Sequence, residues 1–534
     1  MIETGRLPIV NPPRSGPSAS LNPEFFARLA RRVPTQSGVF EAVRSPFDQQ
    51  VLAELPICTP ADVAAAVQWA RETQAAWAKV DPRKRARVLL RFHDLLLARQ
   101  EQGLDLTQLE AGKARRHAQE ELLDSAINAQ YYATRAPGWL RPRRAGGTFA
   151  GLTVTWEYRH PVGVVGVICP WNYPLTMAVS EPVAALMAGN AVVLKPDPQT
   201  SFTALWVLSL MEEAGLPPGL MQVVTGAAEV GSALVGAVDF IALTGSTRTG
   251  RVVARQAGER LIGANLELGG KNPMLVLEDA PLEAAVKGAV DGCFTNAGQL
   301  CVSIERIYVH ESVYEAFKRR FVEKVSRLRL GSTLDHRTQI GSLTVARQFE
   351  LVEAHVQEAV AKGAKVLTGG KARPDLGPLF FEPTVLEGVT PEMRVYNEET
   401  FGPVVALYPY GDLEEVLERI NASEYGLNAS VWTRDLAKGR AVASRIQAGT
   451  VNVNEAYAAA WISMDATMGG FKASGLGRRH GKEGLYRFTE LQTVALERLI
   501  PITGPAWLPR GWYGRIVTWA LHGMKWVMRW RYRV

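Results

Sequence analysis

At 534 residues the chain is longer than one hydrophobic core ordinarily supports, which excludes a single small module and asks for two large units. Four cysteines exclude a disulfide framework, and eight histidines that never fall into ligand spacing indicate no metal site. The net charge of +7 resides in residues 498–534, where Arg498, Arg510, Arg515, Lys525, Arg529, Arg531 and Arg533 meet no acid; the body is formally neutral, which argues against nucleic acid as a partner.

Residues 1–35, rich in Pro, Ser and Arg and without a sustained period, are expected to form a loose arm. They hold no long apolar run behind a basic start, so no secretory signal is expected, and the cysteine usage fits a reducing, cytoplasmic setting. Thr59 can cap and Pro60 can open a helix through Val67, Ala70 and Trp77. A second helical stretch is expected from Pro82 past Leu122, with Arg115, Arg116 and Glu120 on a solvated face. Residues 141–160, with Thr153, Val154, Thr155 and Trp156, read as an exposed β-ribbon.

From Val162 onward, short apolar runs at 162–168, 191–194, 221–224 and 240–243 alternate with helical stretches. This is the pattern of a parallel, doubly wound sheet, which binds ligands at the carboxyl ends of its strands. Pro170 to Pro174, Lys195 and Gly245 to Gly250 fall there. A second α/β set begins near Pro273, with strands expected at 274–276, 307–309, 365–367 and 404–408. Two such domains leave a cleft between them for a site.

One thiol stands out. Asn296-Ala297-Gly298-Gln299-Leu300-Cys301 sets a cysteine just after a glycine in a cysteine-poor chain, a setting that suits a nucleophile. Cys58, Cys169 and Cys293 read as buried thiols. Around Cys301 stand Pro170-Trp171-Asn172-Tyr173-Pro174, Leu194-Lys195-Pro196, Thr244-Gly245-Ser246-Thr247-Arg248-Thr249-Gly250, Glu267-Leu268-Gly269-Gly270-Lys271 and Glu398-Glu399-Thr400-Phe401-Gly402-Pro403.

In that order and spacing, the set resembles the aldehyde dehydrogenase superfamily over roughly residues 40–497. Gly298 to Tyr308, Met468-Gly469-Gly470 and Gly477-Arg478-Arg479-His480-Gly481 are similar to the second type of bacterial succinate-semialdehyde dehydrogenase. The resemblance implies an α/β fold with a cofactor-binding domain (36–140 and 161–266), a catalytic domain (267–470) and a β-ribbon oligomerisation arm (141–160 and 471–497), in a homodimer or homotetramer. It assigns Cys301 as nucleophile, Glu267 as general base and Asn172 as oxyanion donor together with the Cys301 N–H. For the cofactor it implies Trp171, Lys195, Gly245, Ser246, Gly250, Glu399 and Phe401, with Ser246 and its neighbours meeting a pyrophosphate at a helix N-terminus. NAD-preferring members often carry Glu three residues after the Lys, where this chain has Pro198; the expected cofactor is therefore NADP, with NAD as the alternative.

The expected reaction is oxidation of an aldehyde, foremost succinate semialdehyde, to its acid through a thiohemiacetal and a thioester on Cys301. The better-known enzymes of that name hold the substrate carboxylate with an Arg in the helix after the Asn motif; this chain has Ser180 there. A medium- or long-chain, lipid-derived aldehyde is the alternative substrate. A non-catalytic scaffold is a further alternative, against which the intact Cys301, Glu267 and Asn172 speak.

Beyond Leu499, the hinge-like Pro501, Gly504, Pro505 and Pro509 precede a helix-length segment. Arg515, Thr518, His522, Lys525 and Arg529 recur at steps of three and four on one stripe. Trp512, Ile516, Trp519, Gly523, Trp526 and Trp530 recur on another. Such a helix is too interrupted to span a bilayer and suits an anionic membrane interface through residues 512–530, peripheral at the inner face of the membrane; packing on the protein itself is the other reading.

Overall fold

A computed structural model describes residues 20–146, 153–498 and 501–532. The chain divides into a large unit, up to Pro137 together with Pro161–Phe488, and a small unit, Gly138–His160 together with the chain from Thr489 onward.

One sheet of the large unit runs in the order Gly475–Leu476, Gly263–Glu267, Phe240–Thr244, Val164–Ile168, Ala191–Lys195, Met221–Val223. It is parallel except for the antiparallel pair at the Gly475–Leu476 edge. Val164, Val165, Val167 and Ala191 to Leu194 are fully buried, the unbroken apolar pattern of strands covered on both faces. From Val164–Ile168 the chain builds outward through Ala191–Lys195 and Met221–Val223, then crosses back to add Phe240–Thr244 and Gly263–Glu267 on the other side. That reversal opens a crevice at the strands' carboxyl ends, where Asn172, Lys195, Ser246 and Glu267 follow or end their strands.

A second sheet has seven strands in the order Lys365–Thr368, Thr384–Glu387, Val404–Tyr410, Ile304–His310, Asn272–Val276, Asn428–Trp432, Thr450–Val453. It is parallel apart from its first pair. Its core is aromatic and aliphatic, with Phe294, Phe317 and Phe321 stacked at its centre. Glu267 ends a strand of the first sheet, and Asn272, which opens the second, pairs with Ile304. The short crossing Leu268 to Lys271 thereby ties Glu267 to the loop that carries Cys301.

Three expectations need correction. Residues within the supposed N-terminal arm form the helix Pro23–Ala30: Asn22 Oδ1 accepts from Phe25 N–H at 2.9 Å, and Phe25, Phe26 and Leu29 are buried, with Phe26 edge-on to Phe202. The part of that arm at residues 1–19 lies outside the described residues. The long helix from Pro82 is three helices, Pro82–Ala98, Gln100–Ala111 and Arg115–Trp139, the last break falling at Gly112 with its φ of 71°. The arm expected from residue 471 begins later, because Phe471–Lys472 and Gly475–Leu476 pair with Tyr425–Gly426 and Gly263–Glu267 inside the large unit.

In the small unit, Thr489–Glu497, Thr153–Pro161 and Arg143–Ala145 form a three-stranded sheet in that order. The helix Arg510–Tyr532 follows a turn at Gly504, whose φ is 91°. Among the described residues, no helix is long and apolar enough to cross a membrane.

Candidate active site

Of the four cysteines, three are buried and Cys301 is half-buried, its residue reached by solvent while its thiol is largely desolvated. It follows the short turn Thr295–Gly298, in which Asn296, Ala297 and Gly298 are all left-handed, with φ of 53°, 55° and 73°. Two non-glycine residues in that region are costly and persist only where neighbours over-determine them. Here they do. Asn296 N–H donates to His117 Nδ1 at 3.1 Å, while its side-chain amide donates to the carbonyls of Asn172 and Gln299. Gln299 Oε1 accepts from Thr344 N–H at 2.9 Å. Gly298 is required outright, because a Cβ would lie 2.0 Å from the Gly402 carbonyl oxygen. On the far side, Asn272 Nδ2 donates to the carbonyls of Cys301 and Ser303 at 2.8 and 2.7 Å.

Asn172 is brought to the same turn. Its Nδ2 donates to the Gln299 carbonyl at 3.0 Å, which uses one of two amide hydrogens and leaves the other for a ligand. Its carbonyl accepts from the Lys113 ammonium at 2.8 Å. Lys113 is fully buried and paired with Glu121, whose other oxygen accepts from Leu175 and Thr176 N–H at the start of the helix Pro174–Ala188. A buried ion pair and a helix N-terminus thus fix the Asn172 loop together.

Glu267 ends its strand buried, and burial pushes its carboxyl up to about 7, with Arg479 opposing and Glu181 assisting. Burial pushes the Cys301 thiol up to about 12, assisted by the Glu399 and Glu267 carboxylates and opposed by Arg479 and the Val302 N–H. The resting thiol is therefore neutral, and beside it stands a carboxylate that exchanges its proton near neutrality.

The remaining expected residues fall into two groups. Glu399 Oε1 accepts from Gly270 N–H at 2.8 Å, and a Cβ on Gly269 would strike the Glu399 carboxylate at 2.3 Å, so Gly269 lets the carboxylate sit against the backbone after Glu267. Burial lifts the Glu399 carboxyl to about 8. Phe401, at φ 52°, meets the Trp171 ring edge-on at 5.6 Å. Its N–H and that of Thr400 donate to Glu305, which is buried in a 2.5 Å pair with Lys271. The second group surrounds the helix Thr247–Glu259. Ser246 caps it, accepting from Thr249 N–H, and Gly245 N–H donates to the Glu267 carbonyl at 3.0 Å. Lys195 ends its strand buried, which draws its ammonium down against the pull of Asp197. Gly250 lies in the first turn of that helix, its N–H donating to the Ser246 carbonyl at 2.9 Å, and faces Leu268, where a Cβ would come within 2.5 Å.

The aldehyde dehydrogenase family matches residues 33–494. The chain belongs to that family. It is 50% identical over 464 residues, 87% of this chain and 90% of the other, to a Mycobacterium tuberculosis protein named "Putative succinate-semialdehyde dehydrogenase NADP(+) 2". A Mycolicibacterium smegmatis protein of nearly the same name is 49% identical over 484 residues, 90% of this chain and 94% of its own. Among solved structures, an Escherichia coli NADP-dependent enzyme is similar with a TM-score of 0.83 and 34% identity over 87% of this chain and 96% of that one. A Sinorhizobium meliloti NAD-dependent aldehyde dehydrogenase gives 0.84 and 34%, covering 88% of this chain and 94% of its own.

The residues present fit the nicotinamide dinucleotide that the family implies. A capped helix opens directly after a strand at the switch point, Lys195 ends its own strand buried with its Nζ bonded to the Pro196 carbonyl at 3.2 Å, and the residue at 198 offers no carboxylate.

The sequence reading missed the supports. Arg115, expected on a solvated face, is buried and paired with Asp105 and Glu101. Lys113, His117, Glu121, Lys271 and Glu305 carried no expected role, yet they hold the Asn172, Cys301 and Glu399 loops. Arg479 stood in a motif quoted only for likeness, and it is buried at this site.

Proposed function

We propose that this chain oxidises succinate semialdehyde to succinate, taking NADP as cofactor in preference to NAD. The observation that carries the chemistry is the half-buried Cys301 thiol in the field of Glu267, whose carboxyl is poised at about 7. Glu267 accepts the thiol proton, and the sulfur adds to the aldehyde carbon as the carbonyl π bond opens onto oxygen. The free Asn172 amide hydrogen and the Cys301 N–H stabilise the oxygen's negative charge. A bound nicotinamide supplies the hydride acceptor, and oxidation leaves an acyl group on Cys301 as a thioester. Glu267 releases that first proton to solvent and, again a carboxylate, takes one from a water whose oxygen attacks that carbon; the carbon–sulfur bond breaks, the proton returns from Glu267 to the leaving sulfur, and the acid departs. Trp171, Phe401 and Glu399 border the nicotinamide side, and Gly245, Ser246 and Lys195 the phosphate and ribose side. Support for the substrate and for NADP comes from the names of the 50% identical relatives, and for NADP also from Lys195 together with Pro198.

A homodimer or homotetramer joined through the small unit is supported by Thr489–Glu497, an edge strand with exposed Leu491, Val494 and Leu496. A second reading, a membrane-attached enzyme for lipid-derived aldehydes, is favoured by the exposed tryptophans of Arg510–Tyr532. Initial rates of NADPH and NADH formation with succinate semialdehyde and with aliphatic aldehydes from acetaldehyde to hexadecanal decide between them. The first reading requires a clear preference for succinate semialdehyde with NADP, and a rate that climbs with chain length replaces it by the second. Absence of turnover with every aldehyde overturns both.

A further inference from the structure

We propose that Arg479 forms the subsite for the carboxylate at the far end of the substrate, and so sets the enzyme's selectivity for a short, acid-terminated aldehyde. The proposal rests on the succinate semialdehyde reading above.

Arg479 is 4% exposed, and its donors are poorly used. Nη2 donates to Ser180 Oγ at 2.5 Å and stands 3.5 Å from Glu181 Oε1. Nη1 meets only the Met177 sulfur, at 3.9 Å, and Nε has no partner. A guanidinium carries five N–H groups, and burying one so thinly bonded is costly unless a further acceptor bonds it. Its nearest acid is also shared, since Glu181 pairs with Arg487 as well. The other acids facing Arg479 are Glu267 and Asp124, the latter bonded by Trp461 Nε1 at 2.8 Å. Together these acids keep the buried guanidinium charged. The Trp461 ring, 5.9 Å away, forms an apolar, cation-tolerant wall.

The position suits a substrate. Met177, Ser180 and Glu181 share one face of Pro174–Ala188, the helix whose N-terminus carries the Asn172 loop. Ser180 lies six residues into it, about 9 Å along the axis at the ordinary helical rise. That span accommodates a four-carbon chain plus one charge-assisted hydrogen bond. The strand Gly475–Leu476, just before Arg479 in the chain, pairs with Glu267 and Leu266, and the charge of Arg479 bears on both Cys301 and Glu267. An incoming carboxylate would meet a planar donor already oriented by Ser180, the arrangement that favours bidentate capture.

The test compares succinate semialdehyde with butanal, which has the same carbon count and no charge, in the full-length enzyme and its Arg479→Gln and Arg479→Lys variants. Loss of the donor should lower the ratio of kcat/KM for succinate semialdehyde over butanal by about 100-fold, mostly through KM, with Arg479→Lys recovering part of it. In a Cys301→Ala background, succinate binding measured by calorimetry should be lost in Arg479→Gln. A ratio that does not change, an equal fall with both aldehydes, or succinate binding that persists would overturn the proposal. If the unmodified enzyme shows no preference for succinate semialdehyde over butanal, the substrate reading itself fails, whichever way the variants behave.

Discussion

The candidate active site and the C-terminal helix handle the same residue types in opposite ways. Around Cys301, charge is buried and mostly paired: Lys113 faces Glu121 and Lys271 faces Glu305, while Glu181 is shared between Arg479 and Arg487. Along Arg510–Tyr532 the cations meet no acid, and Arg515 lies over the Trp512 ring at 5.6 Å. Trp512, Trp519 and Trp526 are 60%, 81% and 74% exposed, and no acid accompanies Arg515, Lys525 and Arg529. Buried ion pairs of the first kind contribute less to stability than to fixing one arrangement of loops, which is what a reaction with several converging groups needs. Exposed tryptophans beside cations fix no loop in this way among the described residues, and it is on them that the membrane-interface reading of the helix rests. The helix also lies beyond the family match, which ends at residue 494.

The largest effect should separate Cys301 from Glu267. Cys301→Ala should cut aldehyde oxidation by at least about 10⁴-fold while cofactor binding, followed by fluorescence, persists. Glu267→Gln should slow steady-state turnover by about 10²–10⁴-fold, with a rapid initial burst of reduced cofactor, because hydrolysis of the thioester suffers most. The pH profile follows from the direction of the Glu267 shift. Burial raises its carboxyl to about 7, so the base form gains population as pH rises, and hydrolysis should climb through that value and level off above it. A profile flat from pH 5.5 to 8.5 would remove Glu267 from the role.

Next comes the support beneath Asn172. Lys113→Met leaves Glu121 buried without its partner and frees the Asn172 carbonyl, at a cost of about 3–5 kcal/mol in denaturant unfolding. Burial favours the neutral forms of both partners, lowering the Lys113 ammonium and raising the Glu121 carboxyl. The doubly apolar Lys113→Met, Glu121→Leu variant should recover part of that stability yet not the activity. Recovery of both would mean that the pair is merely packed there.

The difference between the two regions also explains what could be read from the residues alone. Alternating strands and helices and the spaced motifs made the α/β class and the family legible, since a thiol, an amide and a carboxylate in fixed order are chemical demands. Lys113, Glu121 and Arg479 were not legible. Helical periodicity tells which side chains share a face but not what covers it; Arg115 looks like a solvated charge until Gln100–Ala111 is laid beside it. Ser180 looked like a missing arginine because its partner, Arg479, lies 299 residues away. The N-terminal helix escaped for a similar reason, since two phenylalanines amid Pro and Arg show no period until Phe202 meets one of them.

The smallest effect on turnover, and the sharpest on the comparison, should come from the tail. Trp519→Ala with Trp526→Ala removes apolar area from an exposed face and should leave oxidation of water-soluble aldehydes within about twofold, as surface changes away from a packed core usually do. If the helix lies in a membrane interface, the full-length enzyme should sediment with vesicles of phosphatidylcholine and phosphatidylglycerol and much less with phosphatidylcholine alone. The attraction then combines buried tryptophan with cations drawn to an anionic surface. Binding should weaken as salt is added, because exposed charges are screened beyond about 8 Å at physiological ionic strength. The double tryptophan variant should lose most of this binding, and reversing Lys525 and Arg529 to Glu should lose the preference for anionic lipid. Binding that survives both changes would assign the membrane contact to another part of the chain. A change in assembly mass without vesicle binding would instead assign the tryptophans to a second copy of the protein, making the tail a polymer contact and restoring the likeness between the two regions.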